Sequence, residues 1–275
     1  MLIKKYSGAG NTFLMINNLD GSVKNHRDTV IDLIGQEGNE HFDGVIFVEN
    51  SDIADFHMNY FNKDGTGNAL CGNGLRCTAK FIEDTNLSDK KYITLEAVSK
   101  IYECANLENG LISVNFPPPA NIRLNFNLKV HFTEWWQMLR VHYVDVGSPH
   151  IVAFIKDIKN PLVQHLYEVD INKWGKNIRM HRDLMPEGAN VNFVSLKSYD
   201  KSEMEIRSYE RGVEGETMAC GTGAISTAIV AYLLYDIIPP IKILTRSAEY
   251  LIVDFKFVDG IFRNLSLSGN ANLIE

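Results

Sequence analysis

Two stretches of the 275-residue chain carry one unusual pattern, FNKDGTGNALCGNGLRC from Phe61 to Cys77 and YERGVEGETMACGTGA from Tyr209 to Ala224. In each, an aromatic residue and a polar pair lead through glycines into Cys-Gly-x-Gly. Small and apolar residues at helical spacing follow, with Leu75 and Phe81 after the first and Ala224, Ala228 and Ile229 after the second. The repeat predicts a chain of two like halves, each with a cysteine at the start of a helix. The unpaired N–H groups of a helix start can hold a carboxylate, and the same local field is expected to lower a thiol pKa from its ordinary value of about 8.5.

Cys71 and Cys220 occupy equivalent places in the two halves. The simplest use of such a duplication is one site with a thiol from each half. Two thiols flanking a carbon could remove its proton from one face and return one to the other, which is racemisation or epimerisation without a cofactor. The plainer alternative is a pair of buried small residues that close two tight turns. The repeat alone leaves both open.

Composition narrows the classes further. With 27 basic against 34 acidic side chains the formal charge is -7, so there is no general attraction for nucleic acid or an anionic membrane. No run approaches the roughly 20 apolar residues of a membrane span. The four cysteines form no close CxxC pair and the first residues do not read as a cationic, apolar signal, which together predict a cytoplasmic setting. Cys77 lies six residues beyond Cys71 and off its helix face, against a metal chelate, and Cys104 in the alternating Ile101 to Leu107 segment reads as core. Neither metal nor cofactor is expected.

Taken in order, Leu2 to Tyr6 and Phe13 to Ile16 read as strands separated by the Ser7-Gly8-Ala9-Gly10-Asn11 bend. That bend lacks the third glycine and following helix of a dinucleotide fingerprint. Asp28 to Gly35 reads as a helix, Val45 to Val48 and Asp55 to Phe61 as strands, and the Pro117-Pro118-Pro119 run as a domain boundary. Beyond it, Asn121 to Phe132 reads as strand and loop, and Leu139 to Val146 and Ile151 to Ile155 as strands. Pro161 to Val169 reads as a short helix and turn. Further strands are expected at Gly188 to Phe193, Glu203 to Tyr209, Ile241 to Leu244, Tyr250 to Phe257 and Ile261 to Leu267. Trp135 and Trp136 could serve a core or a dimer face, while His41 and His150 read as turn residues rather than bases.

A wider set of residues runs through these elements: Gly8, Gly10, Asn11 and Phe13; Phe61-Asn62 with Asp64-Gly65; Cys71-Gly72-Asn73-Gly74 with Arg76-Cys77; Gly147 with Pro149-His150; Asn190 with Phe193; and Glu210-Arg211-Gly212 leading to Gly215-Glu216-Thr217 and Ala219-Cys220-Gly221-Thr222-Gly223. In this set the chain resembles the diaminopimelate epimerase family, cofactor-independent enzymes of lysine and cell-wall precursor synthesis. The resemblance implies an α/β fold of two pseudo-symmetric mixed α/β domains with the active site in the cleft between them. It places residues 1–117, completed by a terminal strand at 264–275, in the first domain and 118–263 in the second.

The resemblance further implies that Cys71 and Cys220 are the catalytic pair. Asn11 would touch the reacting end of the substrate, while Asn62, Asn190 and Arg211 would bind the distal end. Gly72 and Asn73, like Gly221 and Thr222, would meet the substrate at the helix starts, with Glu210 delivered beside them. Three positions depart from the family: Gly44 stands for a Gln, Ser148 for an Asn and Gly188 for a charged residue. The stretch Val213-Glu214-Gly215 is one residue longer than usual, which a bulge is expected to absorb. The expected partner is a small-molecule amino-acid substrate, with neither nucleic acid nor membrane, and a homodimer is compatible with it. Alternatives are a racemase for another amino acid, a phenazine-type isomerase using acidic rather than thiol chemistry, and a non-catalytic amino-acid-binding protein.

Overall fold

The computed structural model describes residues 3–67, 70–131, 136–159, 162–198 and 202–274. The chain divides into two compact units, Met1–Phe116 with Ser268–Glu275, and Pro117–Leu267. Leu2, Phe132, Trp135 and Pro161, which the sequence expectations include, lie outside the described residues.

In the first unit, Ile3–Gly8 and Asn11–Asn17 form an antiparallel hairpin paired from Ile3↔Ile16 to Gly8↔Asn11. Its two-residue turn has positive φ at Ala9 and Gly10, +51° and +86°, the backbone that matches the twist of a tight hairpin. Helix α1, His26–Ile34, is capped by the Asn25 side chain. Asn11–Asn17 then runs parallel to Gly44–Glu49, which pairs antiparallel with Phe56–Asn62. Phe56–Asn62 continues parallel to Tyr92–Ala97, followed by antiparallel Lys100–Asn106 and Ile112–Asn115. The closing strand Asn272–Ile274 pairs with Lys5–Ser7.

Helix α2, Gly72–Asp84, buries residues on nearly every face, among them Leu75, Arg76, Cys77, Thr78, Phe81 and Ile82. It packs against strands at both ends of this sheet, so the sheet curls around it. That enclosure leaves little room at the crossing with the first hairpin. A β-carbon at Gly8 would lie 2.9 Å from the Cys77 sulfur. Cys77 and Cys104 are both fully buried, in keeping with packing roles.

The second unit repeats the scheme. The strands Trp136–Asp145 and Pro149–Phe154 form a hairpin, and Asn121–His131 pairs with the first of them. Helix α3, Ile171–Arg179, follows, and then Asn190–Ser198 lies parallel to Pro149–Phe154 and antiparallel to Glu203–Glu210. Glu203–Glu210 runs parallel to Ile241–Leu244, which turns back as Tyr250–Val258. Helix α4, Gly221–Tyr235, is apolar around its circumference and packs on strands of the same sheet. In the expected helix near 161–169 the described chain forms only a three-residue 3₁₀ turn, Leu166–Glu168, and the true helix is α3, a turn further on. Its Ile171, Trp174, Gly175 and Ile178 face inward, and Gly175 is required because a β-carbon there would press on the Tyr209 ring.

Trp136 is 57% exposed, so it is not a core residue of this chain. Among the described residues no helix is long and apolar enough to cross a membrane.

Candidate active site

Each expected site residue falls in one of two clusters, one per unit. In the first, Cys71 is the N-cap of α2 in extended backbone, and its sulfur accepts a hydrogen bond from Gly74 N at 3.3 Å. The helix start therefore forms where the sequence places it. From the next turn Arg76, fully buried, donates through Nη2 to Asn73 Oδ1 at 2.7 Å. That contact turns the Asn73 amide so that its Nδ2 donates to Asn11 Oδ1 at 2.6 Å, and Asn11 Nδ2 donates in turn to Asp43 Oδ2 at 3.2 Å. Asp43 also accepts from Thr12 N at 2.8 Å, which ties the hairpin to the next strand. Arg76 is legible in the sequence only as part of a motif, and the linking role of Asp43 and Arg76 arises only from the packing.

Asn62 stands at the end of its strand with Oδ1 accepting from Tyr60 Oη at 2.9 Å and Nδ2 donating to Thr66 Oγ1 at 3.0 Å. Its side chain thus braces the Asp64-Gly65 turn in this structure.

The second cluster is richer. Cys220 caps α4, buried, with Thr222 Oγ1 3.7 Å from its sulfur. Ser148, His150 and Thr222 form a triangle, with His150 Nε2 2.9 Å from each hydroxyl and the hydroxyls 3.3 Å apart. Asn190 accepts from Arg211 N through Oδ1 at 2.8 Å and points its amide nitrogen toward His150 Nε2 at 3.4 Å. Arg211 extends its exposed side chain, touching the Glu187 carbonyl at 3.4 Å. Glu210 accepts from Thr217 Oγ1 at 2.6 Å.

The thiol of Cys220 corrects the expectation drawn from its position. Burial, followed by the negative charge of Glu210, pushes it well above the ordinary range, against hydrogen bonds from Thr222 and Gly223 N–H that favour the thiolate. Desolvation of a fully enclosed thiol outweighs the field of one helix terminus. The loop before it also differs from expectation. Glu210↔Gly215, Tyr209↔Glu216 and Ser208↔Thr217 pair in unbroken register, so the extra residue is held in a four-residue hairpin turn rather than a bulge. Glu214 in that turn bonds Arg179 Nε at 2.8 Å. Glu216 then anchors the strand through Arg207 at 2.7 and 2.9 Å and Arg246 at 2.6 Å.

Comparison with known proteins matches both units to one family. The family model for diaminopimelate epimerase covers residues 3–113 and 142–252, one segment in each unit. The chain belongs to the diaminopimelate epimerase family. It is 33% identical to the diaminopimelate epimerase of Chlorobaculum tepidum over 93% of this chain and 94% of that one. Identity to the Hydrogenobaculum sp. diaminopimelate epimerase is 34%, over 94% and 95%. In fold, a phenazine biosynthesis protein of the PhzF family from Bacillus anthracis superposes with a TM-score of 0.74 over 99% of this chain and 96% of that chain, at 16% identity. The architecture is therefore the mixed α/β fold of two repeated domains that this family shares.

The three positions that the resemblance marks as departures each have local surroundings that account for the residue present. At Gly44 the Phe61 carbonyl and the Tyr60 ring occupy the place of a β-carbon, so the missing Gln leaves no empty volume. At Gly188, φ is +67° and the Arg179 guanidinium and carbonyl stand where a β-carbon would point. Ser148 spends its hydroxyl on His150 and Thr222. Gly44→Gln is accordingly expected to lower stability by about 1–3 kcal/mol through overpacking against backbone. Urea unfolding monitored by tryptophan fluorescence checks this, and an unchanged midpoint would show that the strand pair can part at no cost.

Proposed function

We propose that the protein interconverts the L,L and meso forms of diaminopimelate without a cofactor, by proton transfer at Cys71 and Cys220. The observation that carries the reading is the repeated placement of a cysteine as N-cap of an enclosed helix, once in each unit of the family fold. An α-proton of an amino acid is very weakly acidic, so negative charge must be stabilised as it develops. In this reading the first N–H groups of α2 and α4, at Gly72, Asn73, Gly221 and Thr222, receive the carboxylate at the reacting centre, and Asn11 orients it. One thiolate removes the proton and the opposite thiol returns another to the far face. Cys220, kept protonated by burial and the negative charge of Glu210, enters as the acid. Arg211, whose guanidinium extends outward, and Asn62 and Asn190 are assigned to the distal amino-acid group. A cytoplasmic place in lysine and peptidoglycan precursor synthesis, and a homodimer, belong to the same proposal.

A second reading, racemisation of a different amino acid, draws support from Ser148, whose hydroxyl is engaged by His150 and Thr222. Reduced protein in deuterated water, offered L,L-diaminopimelate and a panel of single amino acids, separates the two. Rapid α-deuterium incorporation with inversion only on diaminopimelate is expected. Brisk racemisation of a single amino acid with no exchange on diaminopimelate would replace the first reading by the second.

A further inference from the structure

Asn192 is a fully buried carboxamide on the strand Asn190–Ser198, set among Val191, Phe193 and Val194. Both ends of its side chain are committed. Nδ2 donates to the Ile151 carbonyl at 3.0 Å, a group that can only accept, and Oδ1 accepts from Ser208 Oγ at 2.9 Å. The same Nδ2 lies 3.1 Å from His150 Nδ1. An amide nitrogen offers only hydrogens, so this ring nitrogen is the acceptor and the single proton of the neutral imidazole sits on Nε2. Burial, with the positive charge of Arg211 as a smaller cause, pushes His150 down to about 3, which keeps the ring neutral near pH 7.

The Nε2 proton faces the Thr222 and Ser148 hydroxyls, each at 2.9 Å. The Asn190 amide nitrogen, 3.4 Å from Nε2, pulls toward the opposite tautomer, but its contact is longer than the 3.1 Å from Asn192 to Nδ1. Because the imidazole donates here, it takes no proton from Thr222. That hydroxyl is left to donate to Cys220 Sγ, 3.7 Å away. A Ser148 hydroxyl donating to Thr222 at 3.3 Å runs in the same sense. The contact with α4 is tight, since a β-carbon at Gly223 would strike the Asn192 carboxamide oxygen.

We propose that Asn192 is a positioning residue that holds His150 in its Nε2–H tautomer and so directs the Thr222 hydroxyl proton onto Cys220, favouring the thiolate. The inference rests on the reading of Cys220 as a proton-transfer residue for its catalytic meaning, but the tautomer does not depend on that reading. Facing Cys220 are the Glu210 carboxylate, which opposes the thiolate, and the Thr222 hydroxyl and Gly223 N–H, which favour it. In Asn192→Asp a carboxylate accepts from Nδ1–H instead. Nε2 then becomes an acceptor and draws the Thr222 proton away from the sulfur.

Two measurements test this without using turnover. In protein labelled with ¹⁵N-histidine, ring nitrogen shifts assigned to His150 by a His150→Gln control are expected to show Nε2–H in the parent and Nδ1–H in Asn192→Asp. The pH profile of Cys220 alkylation by iodoacetamide, read by peptide mass spectrometry, is expected to move to higher pH in Asn192→Asp. At a fixed pH below the thiol pKa the rate should fall about tenfold, the weight of a hydrogen bond to a charged group. Thr222→Val should give the same shift, and adding Asn192→Asp to it should give no more. Nδ1–H in the parent would overturn the proposal even if the variants fail to fold. So would an alkylation shift from Asn192→Asp that persists undiminished in the Thr222→Val background, because that would be the effect of added charge alone. Should Cys220→Ala keep full epimerase activity, the catalytic reading of Cys220 fails while the tautomer result stands.

Discussion

Cys71→Ala and Cys220→Ala are each expected to reduce epimerisation by at least about 10³-fold, toward the upper range for loss of a positioned acid or base. The form of the loss is more telling than its size. A variant with one thiol can still remove the proton from the isomer that presents it to that side and return one to the same face. Such a variant would exchange the α-proton with solvent deuterium without inverting the centre, and would do so for one stereoisomer only. Cys71→Ala should favour one isomer and Cys220→Ala the other. The measurement is α-deuterium incorporation alongside the stereoisomer ratio, with the Cys→Ser variants and their unfolding midpoints as folding controls. Inversion at the parent rate in either alanine variant would end the two-thiol mechanism.

Stability is expected to fall by several kcal/mol as pH drops from about 6.5 to 4. His142 and His150 are both fully buried, and burial pushes their pKa values down to about 4 and about 3. In the unfolded chain both return to about 6.5. Below that pH the unfolded state binds more protons than the folded one, so acid favours unfolding, and the loss from each histidine levels off only below its folded value. His142 adds to this because its buried Nε2 has no hydrogen-bond partner among the described residues, while Nδ1 accepts from Asn125 N at 3.1 Å. Glu49 acts in the same direction at lower pH. Although burial raises its pKa, hydrogen bonds led by those from His57 and Asn59 hold it down to about 2, so its contribution is present above about 4.5 and lost as pH falls toward 2. His57 acts in the opposite direction. Its hydrogen bond to Glu49 raises it, so its contribution is complete below about 6.5 and is lost as pH rises through the folded value. His142→Asn keeps an acceptor for Asn125 and removes the titration. Its thermal midpoint should therefore decline less steeply than the parent's between pH 6.5 and 4, by about 1–3 kcal/mol of the total. Parallel declines in parent and variant would mean that His142 titrates normally.

Much of this molecule could be read along the chain because its signals are local. A cysteine followed by Gly-x-Gly and an apolar period marks the start of α2 and of α4. Alternation marks Phe56–Asn62 and Glu203–Glu210, which lead into those loops. Helix α3 escaped because its inward face uses Gly175 and only three apolar residues, Ile171, Trp174 and Ile178, too sparse a period to stand out. The Asp170 cap and the equivalence to α1 in the repeat were the available signals. Asn192 could have been noticed as the second polar residue on one strand face, two positions after Asn190. Nothing in the chain shows, however, that it meets His150.

What the sequence determined by itself was the duplicated architecture, the two helix-capping cysteines and the family, since each rests on neighbours within a few residues or on an ordered set of motifs. The tertiary structure alone decided how those residues behave. Cys220 lies beside Glu210 and deep enough that desolvation overrides its helix terminus, and Gly44 faces the carbonyl of a strand that begins twelve residues later. Arg76 reaches Asn11 through Asn73, and Asn192 sets the proton on His150. Those are contacts between segments distant along the chain. Their energies depend on burial, direction and hydrogen-bond geometry, quantities that exist only once the strands have paired around the helices.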